Sequence, residues 1–136
     1  MSSKRKIISI VDDDQDTSRL FRMVLSEQFA GYDVFSFNDS VLAVEHFTEN
    51  QSAYALVITD FRMAGLNGLE LLSKIKNANP KVRTIVISGI NFENQMFRDC
   101  MELGIIDLTI GKPVTIQRLC HRVRGELEIY QSENPI

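Results

Sequence analysis

Five short apolar runs, each followed by a longer stretch with helical periodicity, limit what this chain can become more than any other feature. Residues 6–11, 55–59, 84–87 and 105–110 are dominated by Ile, Val, Leu and Ala. A strand that is apolar on both faces needs cover on both, which is the condition of a parallel sheet between two layers of helices. The run at 32–37 differs, alternating aromatic with small or polar residues (Tyr-Asp-Val-Phe-Ser-Phe).

Between these runs the apolar period changes from strand to helix. After the first, Leu20, Phe21, Val24, Leu25 and Phe29 recur at three- and four-residue spacing, with Asp14 or Asp16 as N-cap and Gly31 as the stop. Asn38, Asp39 and Ser40 supply caps for a second helix carrying Val41, Leu42, Val44 and Phe47. A third, built on Leu69, Leu71, Leu72 and Ile75, ends before Pro80. A fourth spans 92–103 and stops at Gly104, and a fifth, capped by Thr115, runs to about residue 129. The expectation is an open, doubly wound α/β sheet of five strands and five helices in strict alternation. One domain accounts for all 136 residues, with a core over about 5–128 and a frayed tail over 131–136.

Composition excludes several classes. A net charge of −3 gives no global attraction to DNA or anionic membranes. No apolar run approaches the ~18–20 residues of a membrane span, and residues 7–11 are too few for a secretory h-region, so a cytoplasmic location is expected. Cys100 and Cys120 read as small buried hydrophobes rather than a disulfide framework. His46 and His121 read as surface or half-buried helix residues. The Arg118, His121, Arg122 and Arg124 group reads as a solvated helix face, and Phe35, Phe37 and Phe47 as core.

In open α/β sheets ligands bind beyond the C-terminal ends of the strands. Asp12, Asp13 and Asp14 follow the first strand, Asp60 the third, Ser88 the fourth, and Lys112 with Pro113 the fifth. Carboxylates gathered at one edge repel and raise one another's pKa unless a cation intervenes. Mg²⁺, which takes one or two carboxylates plus waters and phosphate oxygens, resolves that conflict. Asp60 can then serve as a carboxylate nucleophile forming an acyl phosphate. Lys112 would offset charge on the phosphoryl oxygens, and Ser88 would donate a hydrogen bond to them. A calcium loop starting at Asp12 is excluded, because its sixth and twelfth positions would be Thr17 and Met23 rather than Gly and Glu.

The set Ile-Val-Asp12-Asp13-Asp14, Val-Ile-Thr-Asp60-Phe-Arg-Met-Ala-Gly-Leu-Asn-Gly, Val-Ile-Ser88-Gly and Lys112-Pro113 resembles the response-regulator receiver family over essentially residues 5–128. The resemblance implies a flavodoxin-like fold with strand order 2-1-3-4-5. It implies phosphorylation of Asp60 by a histidine kinase, with Mg²⁺ held by Asp13, Asp60 and the backbone carbonyl of Arg62, and with Asp12 acting mainly through a metal-bound water. It also implies that Ser88 moves toward the phosphoryl group, that Lys112 pairs with it, and that the Lys112–Pro113 bond is cis. Output would pass through the fourth helix, fifth strand and fifth helix to an unidentified protein partner or a phosphorylation-dependent dimer. The chain would catalyse nothing beyond its own phosphorylation and dephosphorylation.

Two features depart from that family. Its aromatic residue three positions before the lysine is replaced by Thr109, or by Leu108 when counted forward from Gly104, and the stretch from Gly104 to Lys112 is one residue longer than usual. Arg62 and Ile90, two past Asp60 and two past Ser88, are expected to shield the acyl phosphate from water. Unchanged hydrolysis in Arg62→Ala and Ile90→Ala would refute that. Among other functions, a haloacid-dehalogenase-like phosphatase needs a second aspartate where Arg62 stands. Flavodoxin-like cofactor binding needs a phosphate loop where three aspartates stand. A pseudo-receiver, a phosphorylation-independent interaction domain, is the remaining alternative.

Overall fold

A computed structural model describes residues 5–61, 67–89 and 95–135 of the chain. Arg62, Gly65, Ile90 and Phe92, and every expectation attached to them, lie outside the described residues. The elements are β1 (Lys6–Val11), α1 (Gln15–Gln28), β2 (Tyr32–Phe37), α2 (Ser40–Glu49), β3 (Tyr54–Asp60), α3 (Gly68–Ala78), β4 (Arg83–Ser88), α4 (Gln95–Glu102), β5 (Leu108–Gly111) and α5 (Ile116–Glu133). The five strands form one parallel sheet in the order β2-β1-β3-β4-β5, the flavodoxin-like order.

Strand alternation sends successive side chains to opposite faces of the sheet, and two cores result. On one face Val11, Val57 and Val86 meet α2, α3 and α4 through Phe47, Leu72 and Phe97. On the other, Ile10, Ile58 and Ile110 meet α1 and α5 through Leu25, Leu119 and Val123. Each fully buried aliphatic side chain contributes about 1.5–3 kcal/mol relative to exposure. Two continuous layers of them hold the strand ends in fixed register.

Caps mark most helix starts. Asp14 caps α1, its carboxylate accepting from the amides of Asp16 and Thr17. Asp39 caps α2 and Thr115 caps α5. Asn67 and Glu70 form a reciprocal capping box at the start of α3. Gly104, at φ +75°, adopts the left-handed conformation that ends α4.

Two boundaries and one burial assignment differ from the sequence reading. β5 begins at Leu108 rather than at 105, because Asp107 serves another purpose. Its carboxylate accepts from the Thr84 amide (2.9 Å) and pairs with Lys76 (2.8 Å), so the chain before it bends away from the ladder. Ile106 from that bend is buried in the core instead. The fifth helix does not end near residue 129 but continues to Glu133, into the stretch from 131 expected to fray, where Gln131 donates to the Tyr32 hydroxyl (2.7 Å) and Arg83 pairs with Glu133 (3.7 Å). Phe35 is not core. It is 37% exposed on the edge strand and lies against the His46 ring, centroids 4.4 Å apart.

Candidate functional site

The C-terminal ends of β1, β3, β4 and β5 open into one cavity of about 690 Å³. Its polar wall is made by Asp12, Asp13, Asp14, Thr17, Asp60 and Lys112, and its apolar wall by Leu20, Phe21, Ile87, Pro113 and Val114. Asp12 follows β1, tied back to β2 by its amide bond to the Phe37 carbonyl (3.0 Å). Its carboxylate accepts from the amide of Asp14 (2.9 Å). Burial pushes the Asp12 carboxyl above the ordinary carboxylate range; the Asp14 amide opposes that shift, and the charge of Asp60 adds to it.

Asp60 ends β3 with its side chain 12% exposed. One carboxylate oxygen, Oδ1, accepts from the Phe61 amide (3.0 Å) and from the Lys112 Nζ (3.1 Å). Lys112 is brought there by β5, its amide donating to the Ser88 carbonyl (2.9 Å), and the Lys112–Pro113 peptide bond is cis. Ser88 is buried at the end of β4, while Ile87 and Gly89 beside it line the cavity. The backbone carbonyl of Arg62 lies outside the described residues.

Asp12, Asp13 and Asp60 each present an oxygen within 4.8 Å of the others. That donor set suits Mg²⁺: hard carboxylate oxygens, one of them raised in pKa by burial and by like charge, a state that a divalent cation relieves. Asp13 and Asp60, with Asp12 beside them, would hold such an ion.

Several contributors are not evident from the sequence pattern. Gly68 opens α3 so close to β3 that a Cβ there would fall 2.5 Å from the Asp60 carbonyl oxygen, and its amide donates to the Phe61 carbonyl (2.9 Å). The Asn67-x-x-Glu70 spacing of a capping box is the signal that could have located this helix start. The Phe61 ring stacks on Phe97 of α4 with centroids 4.7 Å apart. On β5, Leu108 packs toward the α1/α5 layer. By alternation Thr109, which pairs with Val86, faces the α2–α4 layer.

Away from the cavity, His46 is half-buried and bonded through Nδ1 to the Tyr54 hydroxyl (2.5 Å), which also meets Ser9 Oγ (2.6 Å). His121 is exposed, and both cysteines are free and buried. Among the described residues no helix is long and apolar enough to cross a membrane.

Comparison with known proteins agrees with this geometry. Residues 8–124 match the family described as the response regulator receiver domain. The chain is similar to a probable chemotaxis protein CheY of Rhizobium etli, 28% identical over 120 residues that cover 88% of this chain and 91% of that protein. It is also similar to the hydrogenase transcriptional regulatory protein HoxA of Cupriavidus necator, 27% identical over 94% of this chain but only 25% of that one. The chain thus spans about a quarter of HoxA, and 42% of a two-component response regulator of Oryza sativa. Among solved structures, a response regulator receiver domain from Clostridium thermocellum superposes with a TM-score of 0.83 at 25% identity, covering 94% of this chain and 98% of the other. With the family's sequence pattern over most of its length and the family's strand order beneath the acidic cavity, this chain belongs to the response-regulator receiver family.

Proposed function

We propose that this domain accepts a phosphoryl group on Asp60 from a histidine kinase or a small phosphodonor, with Mg²⁺ bound beside it, and signals by a change of conformation to a protein partner. The observation that carries this reading is the convergence of Asp12, Asp13 and Asp60 within 4.8 Å at one end of the sheet, with Lys112 on Asp60 at 3.1 Å. Bound Mg²⁺ would supply charge neutralisation for the transferring phosphoryl oxygens. Asp60 is the nucleophile. The Phe61 amide and Lys112 both bond Oδ1 and so orient the carboxylate, and Lys112 then pairs with the new phosphoryl group. Ser88 donates its hydroxyl to the same group. The domain acts in the cytoplasm, catalyses only its own phosphorylation and dephosphorylation, and touches neither nucleic acid nor membrane directly.

With Thr109 in place of the family's aromatic residue, switching takes another route. Phe61 is covalently next to Asp60, and its ring lies on Phe97, which is 1% exposed in α4. Rearrangement around phosphorylated Asp60 shifts Phe61 and thereby α4, and a partner that discriminates the two α4 positions reads the signal.

Intact mass after incubation with acetyl phosphate, with and without Mg²⁺, tests the reading on wild type and Asp60→Asn. A Mg²⁺-dependent gain of about 80 Da (the mass of one phosphoryl group), absent from the variant, is the expected result. A wild type that binds Mg²⁺ but takes no adduct from acetyl phosphate or from a purified histidine kinase would refute it and favour a pseudo-receiver.

A further inference from the structure

Four carboxylates line the cavity (Asp12, Asp13, Asp14 and Asp60), against one ammonium, Lys112, among the described residues. Three of the four converge as candidate metal ligands. Asp14 is not one of them. It stands on the solvent side of the same cavity, exposed, its carboxylate fixed by bonds from the amides of Asp16 and Thr17 (3.1 and 3.3 Å). A divalent cation in the cavity would leave these described groups with one residual negative charge. Removing Asp14 would bring that sum to zero.

We propose that Asp14 is a donor-specificity residue: its fixed carboxylate disfavours dianionic phosphodonors relative to donors of lower net charge. The inference rests on Asp60 being the phosphoacceptor. A dianion entering from solvent feels the Asp14 charge twice as strongly as a monoanion does. Phosphorylation itself is the same displacement for every donor. An Asp60 oxygen bonds to phosphorus as the bond from phosphorus to the leaving group breaks. Acetyl phosphate, a dianion near neutrality, releases acetate. Phosphoramidate, whose net charge is one in its zwitterionic form, releases ammonia.

The experiment compares rates of Asp60 phosphorylation by these two donors at saturating Mg²⁺ in wild type, Asp14→Asn and Asp14→Ser. Both replacements are as good N-caps as aspartate, so α1 keeps its start. At an effective separation of about 10 Å in water, loss of one charge should speed the dianion roughly fourfold and the monoanion roughly twofold at low salt. The acetyl phosphate to phosphoramidate ratio therefore rises about twofold, and that rise shrinks at high salt. Calorimetry should show Mg²⁺ affinity falling several-fold in the same variants, an opposite effect that a merely structural role of Asp14 would not produce. Glu27→Gln, an equal change in net charge at the far end of α1, should leave the ratio unmoved.

A ratio unchanged in either Asp14 variant, or a rise that salt does not diminish, overturns the proposal while leaving the phosphoacceptor reading intact. A wild type labelled by neither donor nor by a purified histidine kinase overturns both.

Discussion

Glycine-to-alanine substitution should have opposite signs at two positions in this fold. At Gly68 an added Cβ would sit 2.5 Å from the Asp60 carbonyl oxygen and 3.2 Å from the Phe61 Cα. The first separation is about 0.9 Å short of the 3.4 Å at which ordinary contact begins, and both neighbours are backbone that cannot rotate aside. Overpacking of this kind costs about 1–3 kcal/mol, and the Gly68–Phe61 hydrogen bond it stretches contributes about 1 kcal/mol net. Alanine's better helix propensity returns only part of ~1 kcal/mol at a first helical position. The net expectation is a loss of about 2–3 kcal/mol. At Gly125, inside α5 and exposed, a Cβ meets nothing within 4 Å, so alanine there should stabilise by about 0.5–1 kcal/mol. For a two-state chain of this size each kcal/mol moves Tm by about 3–4 °C. Urea and thermal unfolding should therefore place Gly125→Ala about 2–4 °C above wild type and Gly68→Ala about 7–10 °C below it. Gly68→Ala should also slow labelling of Asp60, since the backbone that must yield is that residue's own. A Gly68→Ala protein as stable as wild type would refute the close approach of α3 to β3.

Other consequences are as direct. Asp107→Ala removes the anion that faces Lys76 and the Thr84 amide, and unfolding should show a loss of about 3 kcal/mol, with Asp107→Asn intermediate because it keeps an acceptor for Thr84. Burial lowers the His46 pKa, with Glu49 pulling it partly back. A proton therefore binds the unfolded chain first as pH falls. The His46 contribution is complete above about pH 6.5 and declines as pH drops through the folded value. The urea midpoint should fall from pH 7.5 to pH 5 by more in wild type than in His46→Gln; parallel curves would refute this. Because Asp12 titrates above the ordinary range, protons should begin to displace Mg²⁺ at a correspondingly higher pH. An affinity measured by calorimetry that stays flat from pH 7 to pH 4.5 would contradict it. Phe97→Leu should leave Asp60 labelling near wild type but reduce phosphorylation-dependent changes in amide exchange over α4.

The sequence is most legible where one force dominates. Runs such as Ala55–Leu56–Val57–Ile58 can only be buried, and Asp14, Asp39 and Thr115 announce helix starts because a short polar side chain satisfies amides there better than elsewhere. Asp12, Asp13, Asp60 and Lys112 could be grouped because strand polarity alone carries strand-end residues to one side. What escaped depended on partners distant in sequence. Asp107 reads as an interruption in an apolar run until Lys76 and Thr84 are seen to surround it. Phe35 reads as core until β2 is known to be the sheet's edge. Gln131 reads as a tail until Tyr32 is found beside it. Phe61 and Phe97 are separated by enough chain that no local period links them.

The ion pairs at the other end of the sheet divide β4 and β5 mechanically. Lys76, Arg83, Asp107 and Glu126 tie α3, β4, β5 and α5 together at the strands' N-terminal ends, with Arg83 held by Glu126 at 2.9 Å. The opposite ends reach the acidic cavity, where Lys112 is 44% exposed. Each strand is thus anchored by ion pairs at one end and loaded by the site at the other. A displacement at Ser88 or Lys112 is then taken up at the cavity ends while the root at Thr84 stays put. Amide exchange should accordingly be graded along β4, slowest at Thr84 and Ile85 and faster toward Ser88.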